Sequence, residues 1–330
     1  NRERGDFTRE FAAGLPLEHC KPKFLEQKAC DFLRRHRNEP FMLYVNFLEP
    51  HPPFFGPLDD QHDPAEIDLP ANFDDPLEED EPLRYRLIRN KLYQNGYKGK
   101  ELRTEEQWRR LAANYWGLVT QVDLSVGAIL SELERLGLAE NTIVVFTSDH
   151  GDMMGAHRLL NKTMMYEEAA RIPWLMRISR QGRRQQIIKN PVSHIDLVPT
   201  LLELMGHKAP ENLQGKSLLP MMQSGKTFDD DVFIEWNPKL RGDENYPALP
   251  GISAEAVKSA EDASIRTVIA PDGWKLCWSD LDKCQLFDLN KDPLETTNLY
   301  YQDGYEEVKR RLKNKIVDWQ ERTEDKIVPA

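Results

Sequence analysis

Apolar residues recur every three or four positions along the longest amphipathic stretch of the sequence. The stretch opens with residues 104–107, TEEQ, which form a capping-box pattern, and it ends at Gly137. This spacing predicts a long helix that packs on a sheet, with its aromatic side chains in the core rather than against a ligand. The apolar face consists of Trp108, Leu111, Tyr115, Leu118, Val122, Val126, Ile129, Leu133 and Leu136.

Short runs of apolar and β-branched residues lie on either side of this helical stretch. Residues 41–47, 142–147 and 172–178 each form such a run. Runs of this length are typical of strands that are buried on both faces of a parallel sheet. Amphipathic helices are also predicted at residues 22–37 and 196–205, so helices and strands alternate. The alternation predicts an α/β/α sandwich with a mostly parallel central sheet.

The pattern changes beyond Pro220. Residues 232–235, 264–269, 274–279 and 284–288 predict short strands that are separated by Asp, Gly and Pro, without helical crossovers. Such strands pair in antiparallel fashion, and a final helix near residues 305–321 has an apolar face to dock on their sheet. We therefore predict an α/β domain at residues 1–223 and a small α+β subdomain at residues 224–330.

Two features of this layout allow more than one interpretation. Residues 52–103 are acidic and rich in proline, which suits either an insertion over the rim of an active site or a solvated charge run without a role. Cys277 and Cys284 could form a disulfide across a hairpin, and free thiols suit the sequence equally well. Four cysteines in 330 residues are too few for a disulfide-built scaffold, so they do not identify the compartment.

Composition excludes several classes of partner. The chain is 40 % hydrophobic and 9 % aromatic, which is ample for a globular core. Its net charge of −11 argues against nucleic acid or an anionic membrane as the main partner, since both require a broad basic face. No stretch approaches the ~18 apolar residues of a membrane span. The sequence starts without a methionine or a signal-type apolar core, so we expect that the true N-terminus lies upstream.

Candidate chemistry follows the apolar run at residues 142–147. Asp149 and His150 come directly after it, at the strand end where open α/β sheets bind ligands. A carboxylate and an imidazole suit a divalent cation. Lys162 follows within the same segment, and a cation beside a metal indicates an anionic substrate. His51 comes just after the run at residues 41–47, so it is expected at the same edge of the sheet.

Four segments, in this order, resemble the sulfatase family of the alkaline phosphatase superfamily. They are EPHPPF at residues 49–54, SDHGDMMGAHRLLNKTMMYEEAARIP at residues 148–173, HIDLVPT at residues 194–200 and LFDLNKDP at residues 286–293. The resemblance implies that Asp149 and His150 ligate a metal, usually calcium, and that Lys162 and His51 contact the sulfate group. It also implies a sulfatase fold with a small C-terminal antiparallel sheet and one helix.

The family also requires an aspartate pair on the metal and a nucleophile motif whose Cys or Ser becomes formylglycine. Neither is expected in this chain. Cys20 starts a CKPK sequence that lacks the Ser-Arg of the motif, and Asp74-Asp75 follows no apolar strand. We therefore interpret the sequence as roughly the C-terminal two-thirds of a sulfatase. The formylglycine is expected upstream.

The predicted activity is metal-dependent hydrolysis of a sulfate monoester, from a small molecule or a saccharide. His51 or His157 would protonate the leaving oxygen, because imidazole titrates near neutral pH. Two alternatives remain. One is a phosphonate monoester or phosphodiester hydrolase of the same superfamily, whose tetrahedral substrate is similar. The other is a non-catalytic relative that binds anions. The resemblance favours a periplasmic, secreted or lysosome-like location.

Overall fold

A computed structural model describes residues 15–178, 185–224, 230–238 and 245–327. The helices are α1 (Lys21–Arg35), α2 (Leu83–Asn95), α3 (Glu105–Arg135), α4 (Glu167–Ala170), α5 (Leu197–Leu204), α6 (Leu219–Ser224), α7 (Ala254–Asp262) and α8 (Glu306–Thr323). The strands are β1 (Ile143–Thr147), β2 (Trp174–Ile178), β3 (Val232–Trp236), β4 (Ile265–Ile269), β5 (Trp274–Ser279) and β6 (Gln285–Asp288). None of the helices in these ranges has the combination of length and apolar sequence that a membrane-spanning segment needs.

The chain forms two compact units that interleave along the sequence. The first contains Asn1–Pro70, Leu92–Asp149 and Ile172–Arg183, and the second contains Ala71–Lys91, His150–Arg171 and Arg184–Ala330. The mixed α/β class is confirmed. The domain boundary near residue 224 stays a prediction, because residues 225–229 lie outside the described ranges.

Helix α3 is the main element of the first unit. Its capping box is formed as predicted, with the Gln107 N–H donating to the Thr104 hydroxyl and the Gln107 side chain accepting from the Thr104 N–H. Gly137, at φ 71°, follows its C-terminus. The helix packs against α1, where Arg34 pairs with Glu132 at 2.7 Å. The sequence alone predicted packing on a sheet, and the apolar stripe does not distinguish these two partners.

The strand pair of the first unit corrects two predictions. Strands β1 and β2 pair in antiparallel fashion, from Ile143 opposite Ile178 to Thr147 opposite Trp174, so this pair is not parallel. Phe146 is 40 % exposed, so β1 is not buried on both faces. Residues 41–47, all of which the structure describes, form no strand. An apolar run indicates that a segment tends to be buried. Whether the segment forms a strand, and in which direction that strand pairs, depends on residues elsewhere in the chain.

Residues 52–103 are not one uniform solvated loop. The carbonyl of Phe54 accepts from the Asn114 side chain at 3.0 Å, and a Cβ on Gly117 would lie only 2.3 Å from the Leu58 carbonyl oxygen. Both contacts hold this part of the segment against α3. Later in the segment, Glu78 and Glu79 are exposed but Glu81 is buried. A fully solvated charge run would expose all three carboxylates.

The second unit contains the predicted antiparallel sheet. Its strand order is β3-β4-β5-β6, and helix α8 packs on β4 and β5 through a core that includes Leu276, Leu312 and Ile316. The small C-terminal sheet with one packed helix is therefore confirmed. Cys277 and Cys284 are buried and unbridged. Burial raises the pKa of the Cys277 thiol to about 12, so it is unreactive at neutral pH.

Candidate active site

The Asp-His-Gly motif comes directly after the end of β1. Asp149 is exposed and belongs to the first unit, and His150 is the next residue and belongs to the second. The Nδ1 atom of His150 lies 2.7 Å from the carbonyl oxygen of Gly151. Because a carbonyl only accepts, Nδ1 carries the proton, and the lone pair of the ring is on Nε2. This tautomer suits ligation of a metal through Nε2.

Gly151 closes the segment that contains Lys162. Its N–H donates to the carbonyl of Ala169 at 2.9 Å, and a Cβ at this position would lie 2.0 Å from the carbonyl oxygen of Glu168. A side chain therefore does not fit here. The glycine allows residues 151 and 169 to meet, so the intervening residues form a closed loop.

Residues 152–163, which we call the lysine loop, are folded around the carboxylate of Asp152. Its Oδ1 accepts from the N–H groups of Met154 and Asn161, both at 3.0 Å. The Met153 N–H also donates to the Asn161 carbonyl at 2.8 Å. Burial raises the pKa of Asp152, and the two N–H groups together with His150 and Lys162 oppose that rise. The loop therefore has an internal polar core that ends one residue before Lys162.

The backbone of the lysine loop adopts unfavourable conformations. Five residues other than glycine have positive φ: Met154 (34°), His157 (51°), Arg158 (54°), Asn161 (67°) and Thr163 (91°). A β-branched residue such as threonine is rare in this region. Such residues cost on the order of 1–3 kcal/mol each and persist only where surrounding contacts impose them. They cluster at functional sites, which supports a functional role for this loop.

His157 is held inside the protein and is not available to a substrate. It is fully buried, and its ring stacks on Tyr166 with centroids 4.1 Å apart. Its Nδ1 lies 2.6 Å from a carboxylate oxygen of Asp75, and the Asn72 amide nitrogen donates to Nε2 at 3.0 Å. Both ring nitrogens are committed, so the predicted role of His157 in protonating a leaving group is wrong. The histidine supports the lysine loop instead.

His51 is exposed, as a proton donor for substrate must be. Its Nδ1 lies 2.7 Å from the carbonyl of Pro52, and its backbone N–H donates to the Leu48 carbonyl at 3.0 Å. The flanking peptide bonds Glu49–Pro50 and Pro52–Pro53 are both cis. The contact at Nδ1 fixes the orientation of the imidazole ring. The role of His51 at the sulfate group stays a prediction.

Residues 71–91 supply side chains that the sequence did not identify as functional. Besides Asn72 and Asp75, Arg84 donates to Thr163 in the lysine loop. The hydroxyl of Tyr85 accepts from the N–H of Met165 at 3.0 Å. None of these residues belongs to a local motif. Only the contacts, which span about eighty positions of sequence, show what they do.

Two buried polar clusters continue from this support. Tyr166 donates to the carboxyl group of Glu81 at 2.9 Å, and the Gln285 amide donates to the same oxygen at 2.5 Å. Burial raises the pKa of Glu81 to about 8.

In the second cluster, fully buried Lys275 pairs with Glu295 at 2.8 Å and Glu167 at 3.0 Å. Both clusters link the C-terminal sheet to the residues that follow Lys162.

The donor set for a metal is partial. An exposed carboxylate at Asp149 and the tautomer of His150 fit a divalent cation. No group of three or more His, Cys, Asp or Glu side chains with metal-site geometry occurs within the described ranges. Dedicated sites for hard cations use six or more oxygen donors. The two residues can therefore serve as ligands only together with further donors.

Two family models match the sequence. The model described as Sulfatase matches residues 3–207. The model described as N-sulphoglucosamine sulphohydrolase, C-terminal, matches residues 155–322. The first covers more than half of the chain and includes His51, Asp149, His150 and Lys162, and the second covers the C-terminal sheet and α8.

One curated relative and two solved structures place these matches in context. The chain is 28 % identical over 315 residues to the multifunctional alkaline phosphatase superfamily protein PehA of Trinickia caryophylli, covering 92 % of this chain and 60 % of that protein. It therefore spans less than two thirds of that relative. The phosphonate monoester hydrolase SpPMH from Silicibacter pomeroyi has a similar fold, with a TM-score of 0.76 at 22 % identity, over 97 % of this chain and 67 % of that one.

A second solved structure, BT4656 in complex with its substrate D-Glucosamine-2-N, 6-O-disulfate, also shares the fold. Its TM-score is 0.69 at 22 % identity, and the similarity covers 92 % of this chain and 70 % of that one.

Proposed function

Because the chain belongs to the sulfatase family, we propose that the protein to which it belongs hydrolyses a sulfate monoester. The observation that carries this proposal is the lysine loop. It holds Lys162 at the end of a strained backbone that is braced by buried side chains, directly downstream of an Asp-His pair. Backbone strain of this kind clusters at functional sites and persists only where surrounding contacts impose it.

The charges of the site suit a sulfate ester. Cleavage of the ester S–O bond leaves negative charge on the departing oxygen and requires support for the sulfuryl oxygens. The ammonium group of Lys162 would bind one sulfuryl oxygen. His51 would give a proton to the departing oxygen, since its ring is exposed.

Asp149 and His150 would hold a divalent cation, for which the family favours calcium, and the cation would polarise the sulfuryl oxygens. The remaining ligands and the formylglycine nucleophile would come from the part of the family's length that these 330 residues do not span. A saccharide sulfate is a reasonable substrate class, because BT4656 has such a substrate on the same fold. We also expect a periplasmic, secreted or lysosome-like location, on the family resemblance alone.

A second candidate function is hydrolysis of a phosphonate monoester or phosphodiester. It is favoured by the similarity of fold to SpPMH over nearly the whole chain. Both substrates present a tetrahedral anion to a lysine and a metal, so the described residues suit either one.

The test compares an aryl sulfate with an aryl phosphonate monoester as substrates of the full-length protein. Lys162→Ala should lower kcat/KM for the preferred ester by about 100- to 1,000-fold, as loss of an oxyanion-binding donor does elsewhere. Lys208→Ala, which removes an exposed lysine of the same unit, is the matched control and should leave kcat/KM unchanged. Near-normal turnover in Lys162→Ala would refute the assignment, and a preference for the phosphonate would select the second function.

A further inference from the structure

Arg84 lies in the first turn of α2, and its side chain is only 5 % exposed. The N–H groups of Leu83 and Arg84 donate to the two carboxylate oxygens of Asp282 at 2.9 and 3.0 Å, so the start of the helix is tied down. The guanidinium lies 4.7 Å from the centre of the Trp236 ring, in a cation–π contact. Asp282 thus holds the start of the helix, and Trp236 contacts the buried guanidinium.

The guanidinium binds the residue that follows Lys162. Its Nη1 donates to the Thr163 carbonyl at 2.6 Å, and its Nη2 donates to the Thr163 hydroxyl at 2.9 Å. Thr163 has φ 91°, where a β-branched residue is rarely found. A bidentate contact with a planar guanidinium fixes both the position and the orientation of its acceptors. Arg84 therefore contacts both polar groups of the strained residue at which the lysine loop ends.

We infer that Arg84 is a positioning residue for Lys162, acting through Thr163 without contacting substrate itself. This inference rests on the proposed function of Lys162. The direction of the Lys162 side chain depends on the backbone between residues 161 and 163, of which Arg84 holds the C-terminal end and Asp152 the N-terminal end. A displacement of about 1 Å in a catalytic group can lower the rate by about 100-fold.

The decisive experiment is a double-mutant cycle in the full-length protein. Arg84→Met should lower kcat for an aryl sulfate by about 10- to 100-fold, with a smaller change in KM, because the lysine is misplaced in the transition state. In a Lys162→Ala background, the same substitution should change kcat by less than about twofold, because there is no lysine left to position. Equal effects in the two backgrounds would overturn the inference, since they would indicate a role independent of Lys162.

Two conservative variants separate positioning from general packing. Thr163→Val keeps the β-branched shape and the carbonyl acceptor but removes the hydroxyl acceptor, so it should produce a smaller loss of kcat than Arg84→Met. Arg84→Lys keeps the charge and a single donor, and it should recover only part of the activity. Full activity in both Arg84→Lys and Thr163→Val would contradict a bidentate positioning contact. Arg86→Met, on the same helix, is the matched control and should remain active.

Amide hydrogen exchange gives a readout that does not depend on any activity. Peptides that cover residues 152–166 should exchange faster in Arg84→Met than in the wild-type protein and in Arg86→Met, while peptides from α8 should not change. Unchanged exchange in the lysine loop would refute the inference. If the wild-type protein hydrolyses neither ester, the proposed function fails, and faster exchange in Arg84→Met would still show that Arg84 holds the loop.

Discussion

Glu81 carries a buried carboxyl group whose protonation should make stability depend on pH. The side chain is 5 % exposed, and one of its oxygens accepts from Tyr166 and Gln285. Burial raises its pKa from 4.5 to about 8, with smaller contributions from Asp80 and Asp75 that act in the same direction and from the two hydrogen bonds that oppose it. In the unfolded chain the group titrates near its ordinary value.

The direction in which stability changes with pH follows from proton binding to Glu81. Between the two pKa values the folded state holds a proton on Glu81 that the unfolded state has released, so stability falls as pH rises. The slope is about 1.4 kcal/mol per pH unit and flattens near the folded pKa, which gives a loss of about 2 kcal/mol between about pH 6 and about pH 8. Below the unfolded pKa the contribution is complete, and the remainder, about 0.4 kcal/mol, is lost as the pH rises above about 8.

Glu81→Gln is the informative perturbation, because a glutamine oxygen can accept the same two hydrogen bonds and cannot ionise. Urea unfolding of the full-length wild-type and variant proteins should be compared at about pH 6 and about pH 8. The variant should be similar to wild type at the lower pH and more stable by about 2 kcal/mol at the higher pH. An identical pH dependence in both proteins would refute the assignment of the slope to Glu81, as would equal destabilisation of the variant at both values.

Further predictions concern buried charge and metal. Lys275→Met should lower the free energy of unfolding by about 3–5 kcal/mol, because it leaves the carboxylates of Glu295 and Glu167 without their cation. Adding Glu295→Gln should recover part of that loss in urea unfolding, and a larger loss in the double variant would contradict the reasoning. Asp149→Ala and His150→Ala in the full-length protein should each lose bound divalent metal, and unchanged metal by elemental analysis would exclude them as ligands.

The elements that depend on local pattern were predictable from the sequence. The C-terminal strands lie where apolar runs alternate with Asp, Gly and Pro, α8 lies where apolar residues recur at helical spacing, and the observed β5 matches the predicted residues 274–279. Helix α3 begins at its capping box and is followed by Gly137. These features were accessible because each is determined within a few neighbouring residues.

The features that were missed depend on distant residues. A histidine at position 157 could serve either as a proton donor to substrate or as a buried hydrogen-bonding group. Its contacts with Asp75 and Asn72, which lie more than eighty positions earlier in the chain, decide between these two roles. The apolar residues of β2 likewise do not determine whether it pairs with β1 in parallel or antiparallel fashion. Sequence reasoning identified the segment that carries Lys162, but not the side chains that hold it.

The energetics of the lysine loop explain why residues 71–91 are needed. Five residues with positive φ cost on the order of 1–3 kcal/mol each, and inside the loop the Asp152 carboxylate and short backbone hydrogen bonds, such as that from Met153 to Asn161, oppose this cost. Asp75 and Arg84, both in the segment 71–91, add contacts to His157 and Thr163 of the loop. The loop and residues 71–91 should therefore fold together. We therefore expect a deletion within 71–91 to disorder the lysine loop, because it would remove the contacts to His157 and Thr163.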